Sequence, residues 1–258
     1  MSPSQIRKGL QEVRRSMGSV LRDGALAVIA EAEAKTYSSR AFVIYPEAPL
    51  AFAPVPYGEL ARDVWVDLYC DVRWEGDDPL PSQQDLKIRV WTDIDEPFLH
   101  PHERAALEAS PCEGDPVLLD AIETARYGGR VIHRCHYDRA NVEDGPTPRS
   151  QPGPRFHLQF GGEPRDDEFP WLTRVISIPR LPAPPIDLVL ACDIVASNFY
   201  PDLHQKLVGD SQWTAAVKRS EGGALRSYLE RSLQAIQRDE CVLHYWDNPA
   251  LTERERDE

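Results

Sequence analysis

The sequence predicts an α+β fold, a mainly antiparallel sheet with helices packed on one face and a helical C-terminal region. Three observations carry this. Period-two alternation of apolar residues recurs at Val64–Cys70 and again at Phe156–Phe160, the signature of strands with one buried face. The run Ile186–Phe199 is apolar almost all round, as expected of a helix enclosed between layers. The order of elements, a helix, strands, short helices, strands, then helices, is that of a segregated architecture and not of repeated strand–helix units.

Taken in order, Ser2-Pro3-Ser4 opens an amphipathic helix with Ile6, Leu10, Val13, Met17, Val20, Leu21, Val28 and Ile29 near helical spacing. Asp23-Gly24 is where it is expected to break. Ala41–Tyr45 is a short strand, and Pro46, Pro49, Pro54 and Pro56 make the next segment an extended edge or loop, because proline donates no ladder hydrogen bond. Residues 64–72 and 86–92 form the clearest hairpin, with an acidic, prolyl connection from Glu75 to Gln84. The Trp and Tyr residues of that hairpin are expected in the core. Helices around Glu103–Ala109 and Pro116–Thr124 lead to Gly128-Gly129 and a strand over Arg130–Asp138. A polar loop runs from Arg139 to Pro154, suited to a lid or a variable insert.

Strands over Phe156–Phe160 and Thr173–Ile178 are joined by Gly161-Gly162 and an acidic loop, Glu163–Pro170. Leu181-Pro182-Ala183-Pro184-Pro185 ends the ladder, with Pro185 and Asp187 placed in the first turn of the apolar helix. Asn198-Phe199-Tyr200-Pro201 closes that helix. Helices then cover Leu203–Val208, Gln212–Ser220 and Leu225–Ile236, interrupted at Glu221-Gly222-Gly223. Leu225, Tyr228, Leu229, Leu233 and Ile236 share a face expected to dock on the body. Val242–Trp246 is a last apolar patch before a charged tail, Leu251–Glu258. The expected division is a core domain over 1–201 and a helical extension over 202–258 packed on it.

Composition narrows the function classes. A hydrophobic fraction of 41% with six Trp and nine Tyr fits a globular chain,. A net charge of −13 repels phosphate backbones and anionic membrane surfaces, so direct nonspecific nucleic-acid binding is disfavoured. No apolar run reaches the roughly 18–20 residues of a membrane span, and no signal peptide opens the chain. Five widely spaced cysteines, Cys70, Cys112, Cys135, Cys192 and Cys241, argue against a disulfide framework and for a reducing cytoplasm.

Nucleotide-binding glycine loops, the Gly-x-Ser-x-Gly elbow, His-Glu-x-x-His and paired Cys-x-x-Cys are absent from the sequence,, so no cofactor is specified. One constellation remains. If Arg130–Asp138 pairs antiparallel with Phe156–Phe160, then Arg134, His136 and Asp138 share a face with His157 and Gln159, about 5 Å apart at Cβ. As catalytic candidates we take His136, Asp138, His157 and Gln159, and as metal-ligand candidates His136, Asp138 and His157. Two imidazoles beside a carboxylate can hold a divalent ion or divide acid and base roles. The plainer reading is a polar sheet face with satisfied histidines. Cys135 and Cys192 lie in apolar runs where a thiol is an inert small hydrophobe. Asp193, inside the apolar helix, requires a partner, and Arg180 or Arg174 is expected to supply it.

The pattern His157-Leu-Gln-Phe-Gly-Gly, Arg180-x-Pro, Pro185-x-Asp187 and Asn198-Phe-Tyr-Pro resembles that of uncharacterised bacterial families found among prokaryotic conflict and defence genes. The resemblance spans about residues 130–201 and implies a cytoplasmic bacterial protein acting with protein partners. The function expected is therefore an intracellular accessory or interaction protein within a larger assembly. The alternatives are a metal-assisted hydrolase of a phosphodiester-type substrate and a small-molecule sensor with a pocket between sheet and helix.

Overall fold

The computed structural model describes residues 1–35, 40–44, 49–57, 62–92, 130–139, 156–160 and 181–238. The expected strand at 173–178, the turn and loop at 161–170, the helices around 103–109 and 116–124, the loop at 140–154, the patch at 242–246 and the tail lie outside the described residues. So do Cys112, Cys241, Arg174 and Arg180.

The chain opens with α1 (Pro3–Met17). The Ser2 hydroxyl accepts from the Gln5 N–H while the Gln5 side chain accepts from the Ser2 N–H at 2.8 Å, a reciprocal cap that satisfies two otherwise orphaned donors. Ile6, Gly9, Leu10, Val13 and Met17 bury one face. Gly9 is where α1 comes closest to its neighbours: a Cβ there would lie 3.1 Å from Val189 Cγ2 and 3.2 Å from Phe42 Cζ. The helix ends at Met17, earlier than the expected break, and α2 (Ala25–Lys35) starts after Gly24.

Among the described residues eight strands form one antiparallel sheet: β1 (Ala41–Ile44), β2 (Leu50–Ala51), β3 (Val55–Tyr57), β4 (Arg62–Arg73), β5 (Gln83–Thr92), β6 (Arg130–Arg139), β7 (Phe156–Phe160) and β8 (Leu181–Pro182). The principal order is β1-β4-β5-β6-β7-β8, and β2 and β3 also pair with β4. The proline-rich segment thus supplies short edge pairings along a long strand. Val64, Val66, Leu68, Cys70 and Val72 of β4 and Leu86, Ile88 and Val90 of β5 are buried in a single core with α1, α2 and the later helices.

The apolar helix is α3 (Leu188–Phe199). Asp187 stands one position outside it as the N-cap, its Oδ1 accepting from the Leu190 N–H at 3.1 Å, so Pro185 and Asp187 precede the first turn. The helix stops without a left-handed residue: Tyr200, at φ −129°, is the cap, and Asn198 instead donates to the Ile194 carbonyl at 2.7 Å. Pro201 begins α4 (Pro201–Gly209), and α5 (Ser211–Ser220) follows with Asp210 as its N-cap. The Tyr200 hydroxyl donates to the Ala53 carbonyl, tying this junction to the β2–β3 segment. Leu207, Trp213 and Ala216 belong to the main core, so residues 202–220 complete that core.

A five-residue π-turn (Glu221–Leu225) leads to α6 (Arg226–Gln237). The expected docking of its apolar face is overturned: no residue of α6 is buried, and Leu229, Leu233 and Ile236 are 54%, 55% and 60% exposed. What packs is Tyr228, against a small second core of Leu80, Phe156 and Ala224. No helix among the described residues is long and apolar enough to cross a membrane.

Candidate functional site on the polar face of the sheet

Register, which alternation alone does not supply, settles where the candidates stand. In the β6–β7 ladder His136 opposes Gln159 and Asp138 opposes His157. All four therefore occupy two adjoining rungs on one face. Phe156, Leu158 and Phe160 alternate to the other face, in register with Arg139, Tyr137 and Cys135. Arg134 shares the polar face, as expected.

The same face continues through β5 and β4, and the sequence reading missed this. Asp138 is in register with Asp85 and, beyond it, Asp71; His136 with Lys87 and Tyr69; Arg134 with Arg89 and Asp67. The signal was legible in Asp85-Leu-Lys-Ile-Arg, where charged residues alternate with buried ones. Only the long-range pairing joins that alternation to β6.

Charges on this lattice compensate one another. Arg89 Nη2 and Trp91 Nε1 both donate to Asp67 Oδ2, at 2.7 and 2.9 Å. Lys87 Nζ reaches Asp85 Oδ2 at 2.9 Å. Asp71 accepts from Arg73 at 2.7 and 2.9 Å and from Gln83 at 3.0 Å. His136 Nδ1 lies 3.9 Å from Asp138 Oδ2, and His157 is only 2% exposed. Where this face is buried, at Asp67 and His157, its polar groups must be paired, since a buried ion without a partner costs several kcal/mol.

Among the described residues no group of three or more His, Cys, Asp or Glu side chains is placed to hold an ion. Register puts His136, Asp138 and His157 near one another without making them converge on one point. What two adjoining rungs of imidazole and carboxylate can do by themselves is exchange protons and orient a polar ligand.

Tryptophans of the hairpin depart from expectation. Trp65 and Trp91 stand opposite one another on the polar face with their rings stacked at 5.0 Å, and the Arg22 guanidinium lies 5.8 Å from the Trp91 ring. Tyr69 is on the same face, with Arg89 at 5.5 Å. Trp65 and Trp91 cover the polar lattice, because odd-numbered positions of β4 and β5 face away from the helices, while Tyr69 on that face is buried.

The described thiols are inert by burial. Desolvation raises Cys135 to about 11, and burial pushes Cys70 and Cys192 well up. Asp193 finds partners on neighbouring helices: Trp213 Nε1 donates to it at 2.9 Å and His204 Nε2 lies 3.9 Å away.

Compared with protein-family models, with curated proteins and with solved structures, the chain matches none.

Proposed function

We propose that the chain is an accessory or interaction protein that acts within a larger assembly, with α6 as its docking surface. One observation carries this: Leu229, Leu233 and Ile236, at helical spacing on one face, are each more than half exposed, while α6 buries no residue of its own. An apolar stripe left in water gains free energy when covered, roughly 25 cal/mol per Å². The fitting partner is therefore a protein surface with an apolar centre that covers this stripe. The narrower expectation, a cytoplasmic bacterial defence system, is supported by the motif resemblance alone.

The double substitution Leu229→Glu/Leu233→Glu tests the reading. Both side chains are exposed, so the melting temperature stays within the range of neutral surface changes, about 0.5 kcal/mol. A partner co-purified with the wild-type chain from its native host should be lost. Retention of that partner by the variant removes the proposal.

The hydrolase alternative has the register of His136, Asp138, His157 and Gln159 in its favour. It requires that the purified chain take up a divalent ion in equilibrium dialysis and that Asp138→Asn reduce the uptake at least tenfold. Equal uptake by both proteins rules it out.

A further inference from the structure

The link between α5 and α6 is unlike every other helix junction described. It runs through a π-turn in which Gly223 takes a non-helical conformation, φ −88° and ψ −112°. Beyond it, α6 buries no residue of its own. The Tyr228 ring meets Phe156 edge-on at 6.0 Å. Arg231 Nη2 reaches Asp78 Oδ1 at 2.9 Å, and both of those side chains are about half exposed. Ala224, Leu80 and Phe156 form the small core beneath, and Arg139 flanks it, lying 5.8 Å from the Phe156 ring and donating to the Pro81 carbonyl at 2.6 Å.

We propose that α6 is a hinged arm. It pivots at Gly222-Gly223 and docks on a seat built from Leu80, Arg139 and Phe156, with Tyr228 and the Arg231–Asp78 pair as its latch. The physical argument is one of imbalance. Helix α5 is fixed by buried Trp213 and Ala216, whereas α6 buries none of its own residues and its described contacts with the body include the Tyr228 ring edge and the half-exposed Arg231–Asp78 pair. Sub-global opening is drawn from segments with few buried contacts, and a π-turn that interrupts the α-helical ladder is where a helix bends.

The seat also has a position that matters. Arg139 and Phe156 are a register pair, and the next rung of the same ladder is Asp138 with His157. The arm therefore rests on one face of the strands whose other face carries the candidate site. For a docking surface the arm supplies reach, and in that respect the inference rests on the proposed function. The motion itself is measured without any partner.

Spin labels placed at the exposed positions Gln212 and Gln234 by cysteine substitution, with Cys112 and Cys241 replaced by Ser, give the α5–α6 distance by pulsed electron resonance. Labels at Gln212 and Lys218 serve as a control within α5. Arg231→Ala should raise the undocked population about two- to fivefold, the range for an exposed ion pair. Adding Tyr228→Ala should raise it about two- to tenfold more, while the control distance stays single. One narrow α5–α6 distance in the double variant overturns the proposal, and does so whether or not the Leu229 and Leu233 substitutions release a partner.

Discussion

At the residue scale the least comfortable group is Asp187. Its side chain caps α3, yet the residue is 4% exposed. Burial raises its pKa above the ordinary carboxylate value, and the Leu190 N–H and the Ser220 hydroxyl offset only part of that penalty. The sign follows from proton counting. Between the unfolded value, about 3.9, and the higher folded one, the folded chain binds more protons than the unfolded chain. Its stability contribution is therefore full below the unfolded value and is lost as pH rises through the folded one. Asp187→Asn keeps a capping oxygen and removes the charge. Its urea midpoint should exceed that of the wild type at pH 7.5, and the advantage should shrink toward pH 4. A difference independent of pH would show that Asp187 does not titrate above its unfolded value.

Elements are held here by a few side chains that reach between layers. Trp213 is the clearest, since it fills the core from α5 while its indole N–H meets Asp193 on α3. Trp213→Phe keeps most of the ring volume and drops the hydrogen bond, at a cost of about 1–2 kcal/mol once the partial exposure of Asp193 is allowed for. Chemical denaturation measures this, and an unchanged midpoint would assign the whole contribution of Trp213 to packing. The same scale explains why α6 was misread. Its apolar face is as regular as that of α1, and period alone cannot tell a face that finds a body from one that does not. Asp193 shows a related limit: the need for a partner is legible in an apolar helix, but that Trp213 and His204 approach it depends on how α4 and α5 fold back over α3.

For the whole molecule, protection from exchange should follow the layering. Strands β4 and β5 have neighbours on both edges, and α3 is buried on nearly every side. Their amides should exchange only on global unfolding, whereas those of α6 should exchange soonest among the described helices. Hydrogen exchange followed by mass spectrometry checks the order. Slowest exchange in α6 would contradict the division between a well-packed body and a lightly seated arm.

By itself the sequence determined the fold class, the β4–β5 hairpin, the enclosed helix and the opposite orientation of His157 and Phe156, because each is written in a local period of two or of 3.6 residues. Tertiary structure alone decided which rungs align, that Asp85 and Lys87 extend the face of His136 and Asp138, that α4 and α5 finish the core, and that Leu229, Leu233 and Ile236 stay in water. Those outcomes depend on contacts between residues far apart in the chain, where the free energy of packing is settled by what arrives opposite a side chain and not by its neighbours in sequence.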